Sequence, residues 1–177
     1  MIERVPTNIQ AASAEFVATN PLGKVPALVT DEGCVLYDSP VICEYLDSLH
    51  DGAPLFPSPG KLRWQALRRQ ALADGIADAA VLCRMELSAR PEPLRWAEWV
   101  ERQRSKIERA LDELNAESAD NGERTVTIGD IAVGCALGYL DFRFETQDWR
   151  GSRPALAGWY ASFAQRPSMQ ASAPYDL

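Results

Sequence analysis

Asp38 and Ser39 stand where a helix is expected to begin, and together they offer a carboxylate and a hydroxyl. The stretch Pro40 to Leu49 reads as that helix, because Val41, Ile42, Tyr45, Leu46 and Leu49 recur with the helical period. Ser39 is the expected N-cap and Pro40 the first helical residue. Free N–H groups and the positive end of the helix dipole make such a start an anion site. A ligand carboxylate can accept from the Ser39 hydroxyl and N–H, while Asp38 can take an ammonium. One helix start would then read both charges of an α-amino acid. Ser39 as a plain cap is the simpler alternative, and the two roles are compatible.

Other reactive side chains are sparse. Thr127 with Asp130 has the form of a capping box, with Asp in place of the usual Glu or Gln, and is assigned to folding. Asp74 and Asp78 lie one helical turn apart, and a structural or exposed role is expected for them. The four cysteines, Cys34, Cys43, Cys83 and Cys135, form no C-x-x-C pair. With a single histidine, His50, they match no zinc pattern, and no metal site is expected. They are expected to be reduced and mostly buried, which suits a cytoplasmic protein.

Totals narrow the class. The chain has 177 residues, 46% of them hydrophobic, enough for a core. Its net charge is −7. That balance argues against non-specific nucleic-acid binding, which needs clustered Lys and Arg. Arg63, Arg68 and Arg69 are the best basic patch, and a solvated helix face is expected of them. The most apolar run, Ile131 to Leu140, is too short to span a bilayer and is flanked by Asp130 and Asp141. No membrane association and no secretory leader are expected.

The positioning elements change character along the chain. Ile2 to Val5 reads as a short strand that Pro6 ends or places at an edge, and Ser13 to Thr19 as one or two helical turns. Pro26 to Thr30 and Cys34 to Tyr37 read as strands joined by the turn Asp31-Glu32-Gly33, an antiparallel hairpin. The Pro- and Gly-rich stretch 51–60 reads as a linker. Beyond it the signals are helical: residues 61–90, 94–117, 127–143 and 154–165, with a turn at Asn121-Gly122. The third of these is apolar nearly all round and so is expected to be central and buried. The domain reading is thus 1–50, a linker 51–60, and 61–177.

The segment N-P-L-G-K-V-P-A-L, followed by V-L-Y-D-S-P-V-I-C-E-Y-L, resembles the glutathione-binding half of cytosolic glutathione S-transferases. T-I-G-D-I-A-V-G-C-A-L-G-Y-L-D-F-R resembles the central helix of that family's C-terminal domain. The likeness spans nearly the whole chain and implies an α/β thioredoxin-like N-terminal domain followed by an all-α helical C-terminal domain. It implies a cis bond before Pro26, which would present the Val25 N–H and C=O to the extended backbone of glutathione as an added strand. It implies that Asp38 and Ser39 hold the γ-glutamyl end. Lys24 becomes a candidate for the glycyl carboxylate, a solvated lysine being the alternative. The implied activity is conjugation of glutathione to small electrophiles by a cytoplasmic homodimer. Its acceptor pocket would be walled partly by helix 61–90, with Arg84 and Met85 as candidate lining residues.

One departure accompanies the match. The family's first strand and helix, roughly 20–30 residues at typical element lengths, carry its catalytic Ser, Tyr or Cys, and this chain reads as starting at the second strand. The N-terminal domain is therefore expected to be incomplete and the catalytic residue unknown. Ser13, Tyr37 and Cys43 are not candidates, since Tyr37 and Cys43 belong to patterns that predict burial. The vacant sheet position leaves an open edge. Residues 1–10 moving into it is the favoured outcome, over cover by another subunit or a detached segment. A non-catalytic glutathione-binding or dimerisation module and a truncated gene product are the alternatives.

Overall fold

The computed structural model describes residues 2–8, 11–119, 125–145 and 147–175. The chain forms two compact units, Met1–Phe56 and Pro57–Leu177. The turn expected at Asn121-Gly122 lies outside the described residues.

In the first unit, residues 2–8 form no strand, contrary to expectation. Pro6 has no N–H to give a ladder, the Thr7 hydroxyl turns back to the Val5 carbonyl at 3.2 Å, and Val5 is 76% exposed. Among the described residues, no part of this segment fills the sheet. Helix α1 spans Ala14–Thr19, started by the Ser13 hydroxyl accepting from the Phe16 N–H at 3.1 Å. Strands β1 (Leu28–Val29) and β2 (Val35–Leu36) form an antiparallel pair with Leu28 opposite Leu36 and Val29 opposite Val35. Their turn closes through Gly33, which has φ +80° and donates to the Thr30 carbonyl at 2.8 Å. A positive φ there favours glycine.

Helix α2 spans Ser39–Asp47. Its N-cap is Asp38 rather than Ser39, and Ser39 is the first helical residue. Pro40 follows in the first turn, where a missing N–H costs nothing. At the far end Asp47 anchors the chain that leaves the helix. Its two carboxylate oxygens accept from the N–H groups of Leu55 (2.8 Å) and Phe56 (3.0 Å). Burial raises the Asp47 pKa, but those two N–H groups and the neighbouring His50 outweigh it and hold the carboxyl below its usual value.

The second unit is helical. Helix α3 (Lys61–Arg84) runs into a π-turn at Met85–Ala89, then a 3-10 turn at Glu92–Leu94, helix α4 (Ala97–Ser118), helix α5 (Ile128–Arg143), helix α6 (Pro154–Phe163) and the short α7 (Pro167–Ala171). Helix α4 buries Val100, Gln103, Ile107, Leu111, Leu114 and Ser118, a stripe at steps of three and four. Helix α5 buries seven of its residues, as its all-round apolarity predicts. It packs closely on α3, where Ala73, Ala79 and Ala80 face the core. Gly129 is a point of close approach. A Cβ there would meet the Ala66 carbonyl oxygen at 2.7 Å and Arg69 Cβ at 2.8 Å.

Two expectations are corrected here. Arg69 is not on a solvated face. It is 5% exposed, its Nη1 meets Glu117 at 2.7 Å, and its guanidinium stacks over Trp159. Small neighbours on α3 and α5 draw that face into the interior, which a helical pattern cannot show when a charge pairs internally. The cysteines are not mostly buried either: Cys83 is, Cys43 is partly so, and Cys34 and Cys135 are exposed. All four are free thiols. Among the described residues, no helix is long and apolar enough to cross a membrane, and no group of three or more His, Cys, Asp or Glu could hold a metal ion.

Candidate functional site

The first unit offers a cradle built from two chain corners. One is the turn Asn20-Pro21-Leu22-Gly23, closed by the Gly23 N–H donating to the Asn20 carbonyl at 2.9 Å, with Gly23 at φ +61°. Asn20 organises it. The residue is 1% exposed, its side-chain oxygen accepts from the Leu22 N–H at 3.1 Å, and its amide nitrogen donates to the Lys24 carbonyl at 2.7 Å. A buried amide this fully satisfied fixes the backbone on either side of it. The next peptide bond, Val25–Pro26, is cis.

Lys24, Val25 and Pro26 are all exposed, Val25 by 51%. Among the described residues, no hydrogen bond engages the Val25 N–H or carbonyl. The Thr30 N–H donates to the Cys34 carbonyl at 2.9 Å, the Cys34 N–H donates to the Thr30 hydroxyl at 3.0 Å, and Leu28 stands opposite Leu36. The exposed Val25 N–H and carbonyl, just ahead of this hairpin, are a donor and an acceptor of the kind an extended peptide can pair with.

The second corner is the start of α2. The Tyr37–Asp38 bond is also cis. Asp38 is exposed, its backbone is extended at φ −94° and ψ −152°, and its side chain makes no capping bond. Its carboxylate is therefore not spent on the helix. Ser39 is exposed as well, and in the described residues the first backbone donor with a helical partner is Ile42, which reaches the Asp38 carbonyl at 3.1 Å. Pro26 precedes β1 and Asp38 follows β2, so both corners lie at the open end of the hairpin. This end of the chain's hairpin carries the exposed backbone of Val25, the exposed start of α2, and the exposed side chains of Lys24 and Asp38.

Thr127 and Asp130 belong to the second unit, at the start of α5. Asp130 Oδ2 accepts from the Thr127 N–H at 2.9 Å and from its hydroxyl at 3.0 Å, and the Thr127 side chain accepts from the Asp130 N–H, which completes a capping box. Asp130 Oδ1 also lies 3.3 Å from Arg69 Nε. Ser13 caps α1, and Tyr37, expected to be buried, is 36% exposed because β2 ends before it. Sequence reasoning passed over Asn20 and Asp47. The signal for Asn20 was present, since N-P-x-G is a turn sequence and Asn at its first position favours a side-chain-closed turn. Asp47 had no such signal, because its partners lie eight and nine residues away.

Comparison with known proteins gives consistent findings. The N-terminal domain of glutathione S-transferase matches residues 1–49, and the C-terminal domain of glutathione S-transferase matches residues 97–162. An uncharacterized GST-like protein of Escherichia coli K12, YibF, is 37% identical over 175 residues, 98% of this chain and 85% of the relative. The crystal structure of a glutathione transferase family member from Pseudomonas fluorescens Pf-5, with bound glutathione, is 48% identical with a TM-score of 0.88, covering 97% of this chain and 84% of that one. A glutathione S-transferase from Methylobacillus flagellatus, also with glutathione bound, is 37% identical with a TM-score of 0.90, covering 97% and 86%.

Proposed function

The chain belongs to the glutathione S-transferase family, and from that premise we propose that it binds glutathione at the cradle and conjugates it to small electrophiles. The observation that carries the reading is the exposed Val25 backbone, without a hydrogen-bond partner among the described residues, at the same hairpin end as the α2 start. Val25 pairs with the cysteinyl backbone of the tripeptide. Asp38 receives the γ-glutamyl ammonium, and the Ser39 hydroxyl and N–H hold its carboxylate. Lys24 meets the glycyl carboxylate. Thr127 and Asp130 serve folding alone. Glutathione is the co-substrate, and no metal takes part.

Conjugation needs a group that stabilises the glutathione thiolate before it attacks the electrophile. No residue is assigned to that task. The glutathione-bound relatives support binding more directly than turnover. On the same reading the protein is a cytoplasmic homodimer. Trp64, 69% exposed at the start of α3, is the side chain that such a contact would cover.

One paired experiment tests the reading: conjugation of a chlorodinitrobenzene substrate, measured beside retention on glutathione resin. Turnover well above the solution rate together with retention is the expected result. Retention without turnover would leave a binding module in place of an enzyme, and absence of both would remove the cradle.

A further inference from the structure

Asn20 is a buried polar side chain beside the cradle, and the glutathione reading gives it no part. It ends helix α1 as the C-cap. Its N–H donates to the Phe16 carbonyl at 2.8 Å and its carbonyl accepts from the Gly23 N–H at 2.9 Å. Its Oδ1 accepts from the Leu22 N–H at 3.1 Å, and its Nδ2 donates to the Lys24 carbonyl at 2.7 Å. Buried and engaged in this way, it is shut off from any ligand.

Closing the turn does not require all four bonds. The Gly23 and Leu22 N–H groups already close it, and the bond to Lys24 reaches one residue beyond. Lys24 and Val25 share a peptide unit. That unit is planar and trans, so its C=O and N–H point in opposite directions. With the Lys24 carbonyl drawn inward onto Asn20, the Val25 N–H is turned outward, where no described residue takes it. The hairpin ladder does not set this direction, because β1 begins only at Leu28. Breaking the bond would leave a buried amide unsatisfied, so the peptide plane does not swing freely.

We propose that Asn20 is a positioning residue for glutathione: through the Lys24 carbonyl it aims the Val25 N–H at the place where the cysteinyl carbonyl of the ligand arrives. The proposal rests on the glutathione reading of the cradle. A donor aimed beforehand need not be ordered by the ligand, and that ordering is part of what binding costs.

Calorimetric titration with glutathione of the wild-type protein, Asn20→Asp, Ser39→Ala and the double variant tests this. Asn20→Asp keeps an oxygen for the Leu22 N–H and sets its other oxygen against the Lys24 carbonyl, so the turn stays closed while the peptide plane loses its tether. Its Kd should rise at least fivefold, with an unchanged circular dichroism spectrum. Ser39→Ala should weaken binding by the same factor in either background, because the α2 start does not act through Asn20. A general loosening of the first unit would shrink that factor. Hydrogen exchange in the wild-type protein needs no variant, and so holds even if the buried carboxylate of Asn20→Asp prevents folding. The Asn20 side-chain amide should be protected and the Val25 amide unprotected, until saturating glutathione protects Val25 as well. Unchanged affinity in Asn20→Asp, a smaller Ser39→Ala factor in the double variant, an unprotected Asn20 side chain, or a Val25 amide that glutathione does not protect would each overturn the positioning role. Wild-type protein that binds no glutathione would overturn the cradle reading, and the positioning role with it.

Discussion

At the scale of single residues, Ser39 and Asp47 do different work on one helix. Ser39 is exposed at the start of α2, and Asp38, not Ser39, takes the cap position. Removing the Ser39 hydroxyl therefore costs the helix little. Ser39→Ala is expected to weaken glutathione binding about tenfold or more, the scale of a charge-assisted hydrogen bond. The melting temperature should barely move. Unchanged affinity, measured by calorimetry, would end that assignment. Asp47 behaves oppositely, because its carboxylate is held below its usual pKa within the fold. A depressed carboxyl stabilises fully above its unfolded value, near pH 4, and that contribution is lost as the pH falls through the lower folded value. Asp47→Asn should thus melt lower than wild type at pH 7, with the difference shrinking as the pH drops below about 4. A difference that stays constant with pH would show that the charge is not what matters.

Elements carry the next set of expectations. The α3–α5 contact depends on Gly129, whose missing side chain admits the Ala66 carbonyl and Arg69. Gly129→Ala should destabilise by about 1–3 kcal/mol, as overpacking does, despite the better helix propensity of alanine. Denaturant unfolding reads this directly, and a stabilised variant would contradict the contact. Asp130→Ala removes both the box that starts α5 and a partner of the buried Arg69. Its cost should exceed the roughly 1 kcal/mol of an ordinary cap, and a smaller loss would mean that the start of α5 is not under that constraint. The long helices were legible in the sequence because α4 and α5 announce themselves by period and apolarity. The hairpin was legible from its turn. What escaped was non-local. Strand pairing for Ile2 to Val5 depended on a neighbour that the pattern could not supply. Arg69 read as surface because its partners, Glu117 and Asp130, lie on other elements. Likewise the N-cap shifted by one residue, from Ser39 to Asp38, since both residue types suit that position.

At the scale of the whole molecule, two domain matches and the glutathione-bound relatives agree with the order read from the sequence, a small α/β unit before a helical one. The dimer is an expectation at this scale. Sedimentation equilibrium should give twice the chain mass at micromolar concentration, and Trp64→Glu should lower it towards one if that surface is the contact. A wild-type monomer would remove the homodimer from the account.

The central claim is that the Val25 backbone and the α2 start hold one tripeptide together. Amide chemical shifts of the isotopically labelled protein, followed through a glutathione titration, test it most directly. The Val25 and Ser39 amides should move together along one saturable curve. Movement of neither amide at saturating glutathione, or of one without the other, would contradict the cradle.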